Sequence, residues 1–224
     1  MASLFQILGV LSALVASGNS LSCIECSSSS NSCTGPAVTC PSGSVCGATY
    51  TEMQMIENDF VCSLKDSMAT YTMSCISQDK CDTTASMNMG NNLRVKMGIS
   101  CCKTDRCTPT FPSLPRDVSG SNGVMCPSCV TTGYTSCETS DTMECMGDEN
   151  TCLHQIAESA SPKPNSVAMR GCATKSMCKL SSQFNRALGW SLDYRFICSS
   201  GSAGLQKGFY LPAMICIFFL KLWI

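Results

Sequence analysis

Histidine is almost missing from this chain: His154 stands alone among 224 residues. A catalytic role for it needs a nucleophile or a carboxylate partner. No motif supplies one, because the sequence holds neither a Gly-x-Ser-x-Gly elbow nor a His-Glu-x-x-His helix. Charge is scarce too, with 15 Lys and Arg against 16 Asp and Glu. So balanced a count leaves no general electrostatic footprint for nucleic acid, and no nucleic-acid partner is expected. There is no Asn-x-Ser/Thr sequon, and Asn150-Thr151-Cys152 is at best a weak substitute, so N-glycans are not expected. No long helical period of apolar residues runs between the two ends. These absences argue against an enzyme, and no cofactor is expected.

Cysteine is what the chain has in excess, 20 residues in all. That density is close to the level that marks a disulfide scaffold and is hard to reconcile with a reducing cytosol. The N-terminus agrees. Residues 1–20 carry an apolar run from Leu4 to Val15, then the small residues Ala16, Ser17, Gly18 and Ser20. They read as a signal peptide cleaved after Gly18 or Ser20, although the usual positive n-region is missing. The other reading, a buried helix opening a cytosolic fold, fits poorly with the cysteines that follow.

A second apolar segment, Phe209 to Leu220, is short for a membrane span of about 20 residues. Upstream lie small residues from Ser199 to Gly204, then Gln206-Lys207. Small site, polar spacer and apolar tail form the pattern for glycosylphosphatidylinositol (GPI) attachment. Residues 200–224 are therefore expected to be a GPI signal, with Ser199, Ser200 or Gly201 as the attachment site. Lys221 and the short spacer depart from that pattern. A direct membrane anchor, or no anchor, remain the other readings. Either way the chain is expected outside the cell, secreted or held at the cell surface.

The cysteines also repeat. One set falls at positions 23, 26, 33, 40, 46, 75, 81 and 101, a second at 126, 129, 137, 145, 152, 172, 178 and 198. Successive steps are 3, 7, 7, 6, 29, 6 and 20, then 3, 8, 8, 7, 20, 6 and 20. Three steps are identical, three differ by one, and only the central step differs much. This is a duplicated module with one loop of variable length. The first copy, residues 21–108, ends in Cys101-Cys102-Lys103-Thr104-Asp105-Arg106-Cys107. The second, residues 126–199, stops at Cys198. Between them, residues 109–125 hold three prolines and two glycines, the composition of a semi-rigid linker. Modules this small bury too little apolar surface to be secure alone, so disulfides substitute for core.

The segments between cysteines read as strands. Leu93, Val95, Met97 and Ile99 alternate with Arg94 and Lys96, which places the two cations on the opposite face. Trp190, Leu192, Tyr194 and Phe196 alternate likewise, either as an exposed aromatic row or packed on the sheet or the neighbouring module. Ala69 to Ile76 is rich in Thr, Tyr and Met. Asn88 to Asn92, around Gly90, is a candidate hairpin turn.

Taken together, Cys23-x-x-Cys26, the long central step and the closing Cys101-Cys102-x4-Cys107 resemble the three-finger fold. That module is shared by snake toxins, lymphocyte antigens and the urokinase receptor. The tandem is similar, more narrowly, to the gamma-type phospholipase A2 inhibitors. The segments that carry this likeness are Met87-Asn88-Met89-Gly90-Asn91-Asn92-Leu93-Arg94-Val95, the linker from Leu114-Pro115 to Asn122-Gly123-x-x-Cys126-Pro127, and Gly171-Cys172. The resemblance implies a small, disulfide-rich, mainly β protein of two tandem three-finger domains. It also implies a pairing. In the first copy this is Cys23 with Cys46, Cys26 with Cys33, Cys40 with Cys75, Cys81 with Cys101 and Cys102 with Cys107. In the second it is Cys126 with Cys152, Cys129 with Cys137, Cys145 with Cys172 and Cys178 with Cys198.

Four features depart from the family pattern, one of them the apolar tail, which is not expected of a freely secreted inhibitor. Thr108 stands where Asn usually follows the last cysteine of a complete module. The second module lacks the last pair. Cys62 has no place in the framework and is left over together with Cys216. Cys62 is therefore a candidate free thiol or intermolecular bond, the latter giving an oligomer.

Two further chemistries are weighed and set aside. A small secreted phospholipase carries His just after a double cysteine, whereas Cys101-Cys102 is followed by Lys103-Thr104-Asp105-Arg106. Zinc at the Cys-x-x-Cys pairs needs four thiolate or imidazole ligands, and the strict repeat in a secreted chain favours disulfides. What remains is binding. Fingers usually make the contacts in this fold, and the central finger of the first module carries Glu52, Met53, Met55, Ile56, Glu57, Asp59 and Phe60. Met adapts readily at binding surfaces. These residues either meet a partner with an apolar site and a basic rim, or pack on the adjoining strands with the acids facing water. Arg94 and Lys96 form a smaller basic face, a second candidate or a solvated sheet face. The expected partner is a protein, on the resemblance a secreted phospholipase A2. The tail favours the alternative, a GPI-anchored receptor or adhesion protein of the urokinase-receptor type with an unknown protein ligand.

Overall fold

The structure is a computed structural model that describes residues 20–55, 67–90, 93–159, 166–181 and 192–203. The leader, Ile56, Glu57, Asp59, Phe60, Cys62, Asn91, Asn92, Trp190, Cys216 and the apolar tail lie outside the described residues.

The first module begins with the short strands β1 (Ser22–Ile24), β2 (Cys26–Ser28) and β3 (Ala37–Thr39). It continues with the long strands β4 (Ser44–Met55) and β5 (Ser67–Ser77), then β6 (Thr84–Met89) and β7 (Leu93–Cys102). The second module contributes β8 (Ser121–Pro127), β9 (Cys129–Thr132), β10 (Thr142–Met146), β11 (Thr151–Ser159), β12 (Ser166–Ala173), β13 (Leu192–Ser200) and β14 (Ser202–Ala203). The period-two segments are strands for the expected reason: Leu93, Val95, Met97 and Ile99 all face the core. β6 and β7 pair antiparallel with Met89 opposite Leu93, so Asn88 and Met89, expected in the turn, belong to β6.

Nine disulfides fasten the base of the fingers: Cys23–Cys46, Cys26–Cys33, Cys40–Cys75, Cys81–Cys101, Cys102–Cys107, Cys126–Cys152, Cys129–Cys137, Cys145–Cys172 and Cys178–Cys198. They are the same pairs that the resemblance implies. Cysteine replaces core at each knot. Cys126, Cys145, Cys152 and Cys172 form one buried cluster, and Cys23, Cys40 and Cys46 form another.

The modules do not sit apart. β1 pairs with β3, and β8 lies between β10 and β14, but all the other strands join one nine-stranded sheet. Its order is β13-β11-β12-β6-β7-β4-β5-β2, with β9 also paired to β12. The seam lies between β6 and β12, where Met89 faces Gly171, Asn88 faces Cys172 and Met87 faces Ala173. Two edges that would otherwise expose unpaired backbone groups cover each other there. Gly171 makes the approach feasible. A Cβ at this position would stand 2.7 Å from Met89 Cα and would overlap the Asn88 carbonyl.

Above this seam lies a single core. Met87, Met89, Val95 and Met97 of the first module pack with Leu153, Ala157, Ala173, Met177 and Tyr194 of the second. Four of its buried residues are Met, whose unbranched side chains fill the irregular space between two curved units. The aromatic row predicted around Tyr194 lies on this core: Tyr194 is buried and Phe196 packs against it. Burial pushes the Tyr194 phenol up to about 12.

The segment between the modules runs as a strap over the outer face of the first. Pro112 is fully buried. Phe111 lies against Tyr50 and Tyr71, with ring centroids 4.7 and 5.8 Å apart. Ser100 Oγ donates to the Thr110 carbonyl. Gly98 leaves room for the Ser113 carbonyl, which any side chain there would strike.

Candidate functional site

Of the seven finger residues singled out in the sequence, Glu52, Met53 and Met55 fall within the described residues. β4 and β5 are joined by eleven cross-strand pairs, so the finger is a long two-stranded arm. Met53 stands opposite Met68 on β5 and opposite Val95 on β7. Met55 follows on the same face two residues on. Met53 is half-buried against the core, whereas Met55 is 58% exposed and Met68 is 52% exposed. Met68 was absent from the sequence candidates, because only the register places it beside Met53. Glu52 points to the other face, where its carboxylate accepts a 3.2 Å hydrogen bond from the Gln54 amide. The described end of the finger is thus apolar and Met-lined on one side and polar on the other.

One continuous row links the finger to the second module. Met68, Met53, Val95, Met87, Ala173 and Thr151 are successive cross-strand neighbours over β5, β4, β7, β6, β12 and β11. Tilting of the finger is therefore resisted by backbone ladders through both modules, and such pre-organisation favours tight binding.

The basic pair is not freely solvated. Asp117, from the strap, takes both cations on one carboxylate oxygen, Lys96 Nζ at 2.6 Å and Arg94 at 3.2 Å. The Lys96 and Arg94 side chains keep only 11% and 23% of their exposure, against 70% for Asp117. Nearby, Ser86 Oγ donates to Glu149 Oε1 at 2.8 Å across the two modules. Burial pushes the Glu149 carboxyl up, opposed by this hydrogen bond and by Arg94.

His154 lies on β11. Its cross-strand neighbours are Arg170 and Ile197. His154 Nε2 and Arg170 Nε are buried without a hydrogen-bond partner among the described residues. Burial, then the adjacent guanidinium, holds the imidazole below its ordinary value, so it stays neutral near pH 7. The clustered sulfurs of Cys23, Cys40 and Cys75, and of Cys126, Cys145 and Cys172, belong to disulfides, which offer no thiolate to a metal. Ser199, Ser200 and Gly201, the candidate attachment residues, close β13 and lead into β14.

A family profile described as u-PAR/Ly-6 domain matches residues 19–110 and 122–204. The chain belongs to the u-PAR/Ly-6 domain family. Its two matched segments coincide with the two knots and their fingers. Among the curated u-PAR/Ly-6 relatives is phospholipase A2 inhibitor NAI of Notechis ater, 32% identical over 51% of this chain and 58% of that protein. Phospholipase A2 inhibitor CgMIP-I of Cerrophidion godmani is 29% identical over 76% and 82%. Phospholipase A2 inhibitor LNF1 of Lachesis muta muta is 28% identical over 80% and 86%. The alignment thus spans little more than half of the first relative and most of the other two. The crystal structure of mouse TEX101 aligns at 21% identity over 76% of this chain and 88% of that one, with a TM-score of 0.31. A superposition that loose carries no argument.

Proposed function

We propose that this u-PAR/Ly-6 protein is an extracellular, non-enzymatic inhibitor that binds a secreted phospholipase A2 and blocks its approach to lipid. The observation that carries this reading is the alignment with named phospholipase A2 inhibitors over as much as 86% of their length. The geometry supports it. A rigid arm presents Met55 and Met68 to solvent, and exposed apolar side chains on a braced finger suit an apolar partner surface.

The test is inhibition of a panel of secreted phospholipases A2 by the oxidised protein secreted from the full-length chain. Sub-micromolar inhibition of at least one enzyme is the expected result. Replacing both Met55 and Met68 by Glu should weaken it by about tenfold or more, the effect of losing an interfacial anchor. Because both residues are exposed, the melting temperature should stay within about 2 °C of wild type. No inhibition across the panel by protein with all nine disulfides formed would overturn the reading.

We further propose that the apolar tail directs GPI attachment at Ser199, Ser200 or Gly201, tethering the inhibitor. The sequence pattern of residues 199–220 supports this. A phosphatidylinositol-specific phospholipase C should release the protein from expressing cells. Release of none, with protein accumulating in the medium, would exclude the anchor.

A further inference from the structure

Between the modules lies a cavity of about 660 Å³, walled by β6 and β7, the strap, and two turns of the second module. Its volume falls within the range of small-molecule sites. Four cations line it, Arg94, Lys96, Arg116 and Lys175, against three carboxylates, Asp117, Asp148 and Glu149. We propose that this cavity binds a compact dianion of the phosphomonoester class.

Charge is the first argument. With every group ionised the lining carries one excess positive charge, by four cations less three carboxylates. Glu149 is 7% exposed, and its carboxyl is pushed up by burial, opposed by the Ser86 hydrogen bond and Arg94. A phosphomonoester carries about 1.5 to 2 negative charges at neutral pH, the sign that this excess attracts.

The second argument is the state of the cations. The Lys96 side chain keeps 11% of its exposure, and a charge so covered is costly unless it is well paired. Its partner is a strap carboxylate that remains 70% exposed, and largely hydrated carboxylates are weak anchors. Asp117 therefore sits on an anion seat whose walls are more buried than its occupant. The seat is also not saturated. Both ion pairs use the same Asp117 oxygen, while an ammonium has three donors and a guanidinium five. Arg116 and Lys175 line the same space, are exposed, and hold no ion pair among the described residues. Arg and Lys together are the usual ligands of phosphoryl oxygens.

A third argument is construction. The cavity needs both modules and the strap at once, and two of the polar contacts around it cross between the modules. Ser86 reaches Glu149 and the Ser86 amide donates to Thr174 Oγ1 at 3.0 Å, both across the modules, and within the second module Asn122 Nδ2 donates to the Gly147 carbonyl at 2.9 Å. The site is remote in residue composition from the Met-lined finger, so it stands independently of the phospholipase reading.

Calorimetric titration of the oxidised protein, secreted from the full-length chain, tests the proposal. The probes are inorganic phosphate and glycerol 3-phosphate, at constant ionic strength set with chloride. Saturable, one-site binding is expected. Lys96→Met, which keeps the aliphatic stem, should weaken it by about tenfold or more. Lys175→Gln, at an exposed position, should weaken it without touching the fold. Asp117→Asn, which removes the internal competitor, should tighten it. Tighter binding of glycerol 3-phosphate than of phosphate would assign an organic ligand, and equal binding would assign the free ion. No saturable binding by the wild type and by Asp117→Asn would overturn the proposal. So would binding that both lysine variants leave unchanged.

Discussion

Replacing Gly171 by alanine is expected to destabilise the protein by about 3 kcal/mol and to split its thermal unfolding into two transitions. The residue lies at the only ladder that joins the sheets of the two modules within the described residues. A methyl group there would meet backbone on the facing strand, with Met89 Cα at 2.7 Å and the Asn88 carbonyl closer still. Backbone cannot swing aside as a side chain does, so β6 and β12 must separate. The cost is that of overpacking, about 1–3 kcal/mol, with lost ladder bonds and a loosened core added to it. A loss of this size corresponds to roughly 10 °C in melting temperature for a protein of this length. The neighbouring knots are left intact, so each module should retain its own residual cooperativity. Scanning calorimetry and near-ultraviolet circular dichroism measure both effects. A single transition within about 2 °C of wild type would show that the seam does not couple the modules.

The second large effect is expected at the knot of the second module. Removing Cys145–Cys172 by double substitution with alanine should cost about 3.5 kcal/mol from chain entropy alone, for a separation of 27 residues. Both cysteines are fully buried, and Cys145 Sγ lies 3.4 Å from Cys126 Sγ, so lost packing adds to that figure. The module has four disulfides against five in the first, and it lacks a counterpart to Cys102–Cys107. Removing Cys129–Cys137 should cost less, about 2.5 kcal/mol, because only eight residues separate that pair. Urea unfolding of the two double variants gives the comparison directly. If the short-loop variant proves the less stable of the two, loop length and burial do not govern these staples.

Much of the fold was legible in the spacing of cysteine. A repeat of 3, about 7, about 7, about 6, a long step, 6 and 20 leaves little freedom, and the family resemblance adds the pairing. Period-two segments such as Leu93 to Ile99 announced strands with one buried face, because side chains on a pleated strand alternate. The finger was partly legible. Met53 and Met55 stand out in the sequence, but Met68 lies fifteen residues beyond Met53, and only the antiparallel register sets them side by side. Arg94 and Lys96 read in the sequence as either a binding face or a solvated one, and their cover was not legible for a related reason. Their local pattern is that of an exposed strand face, and the strap that covers them comes from residues 109–119. Nothing in the period of β7 records a segment laid across it later.

The sequence by itself determined the module, its duplication, its oxidised state and its strands, because these depend on local periodicity and on cysteine spacing. Only the tertiary structure decided that the two modules share one sheet and one core, and that a charged cavity lies between them. Those features arise where β6 meets β12 and where Asp117 meets Lys96. They rest on the shape and charge of surfaces brought together from distant parts of the chain, for which no sequence period exists.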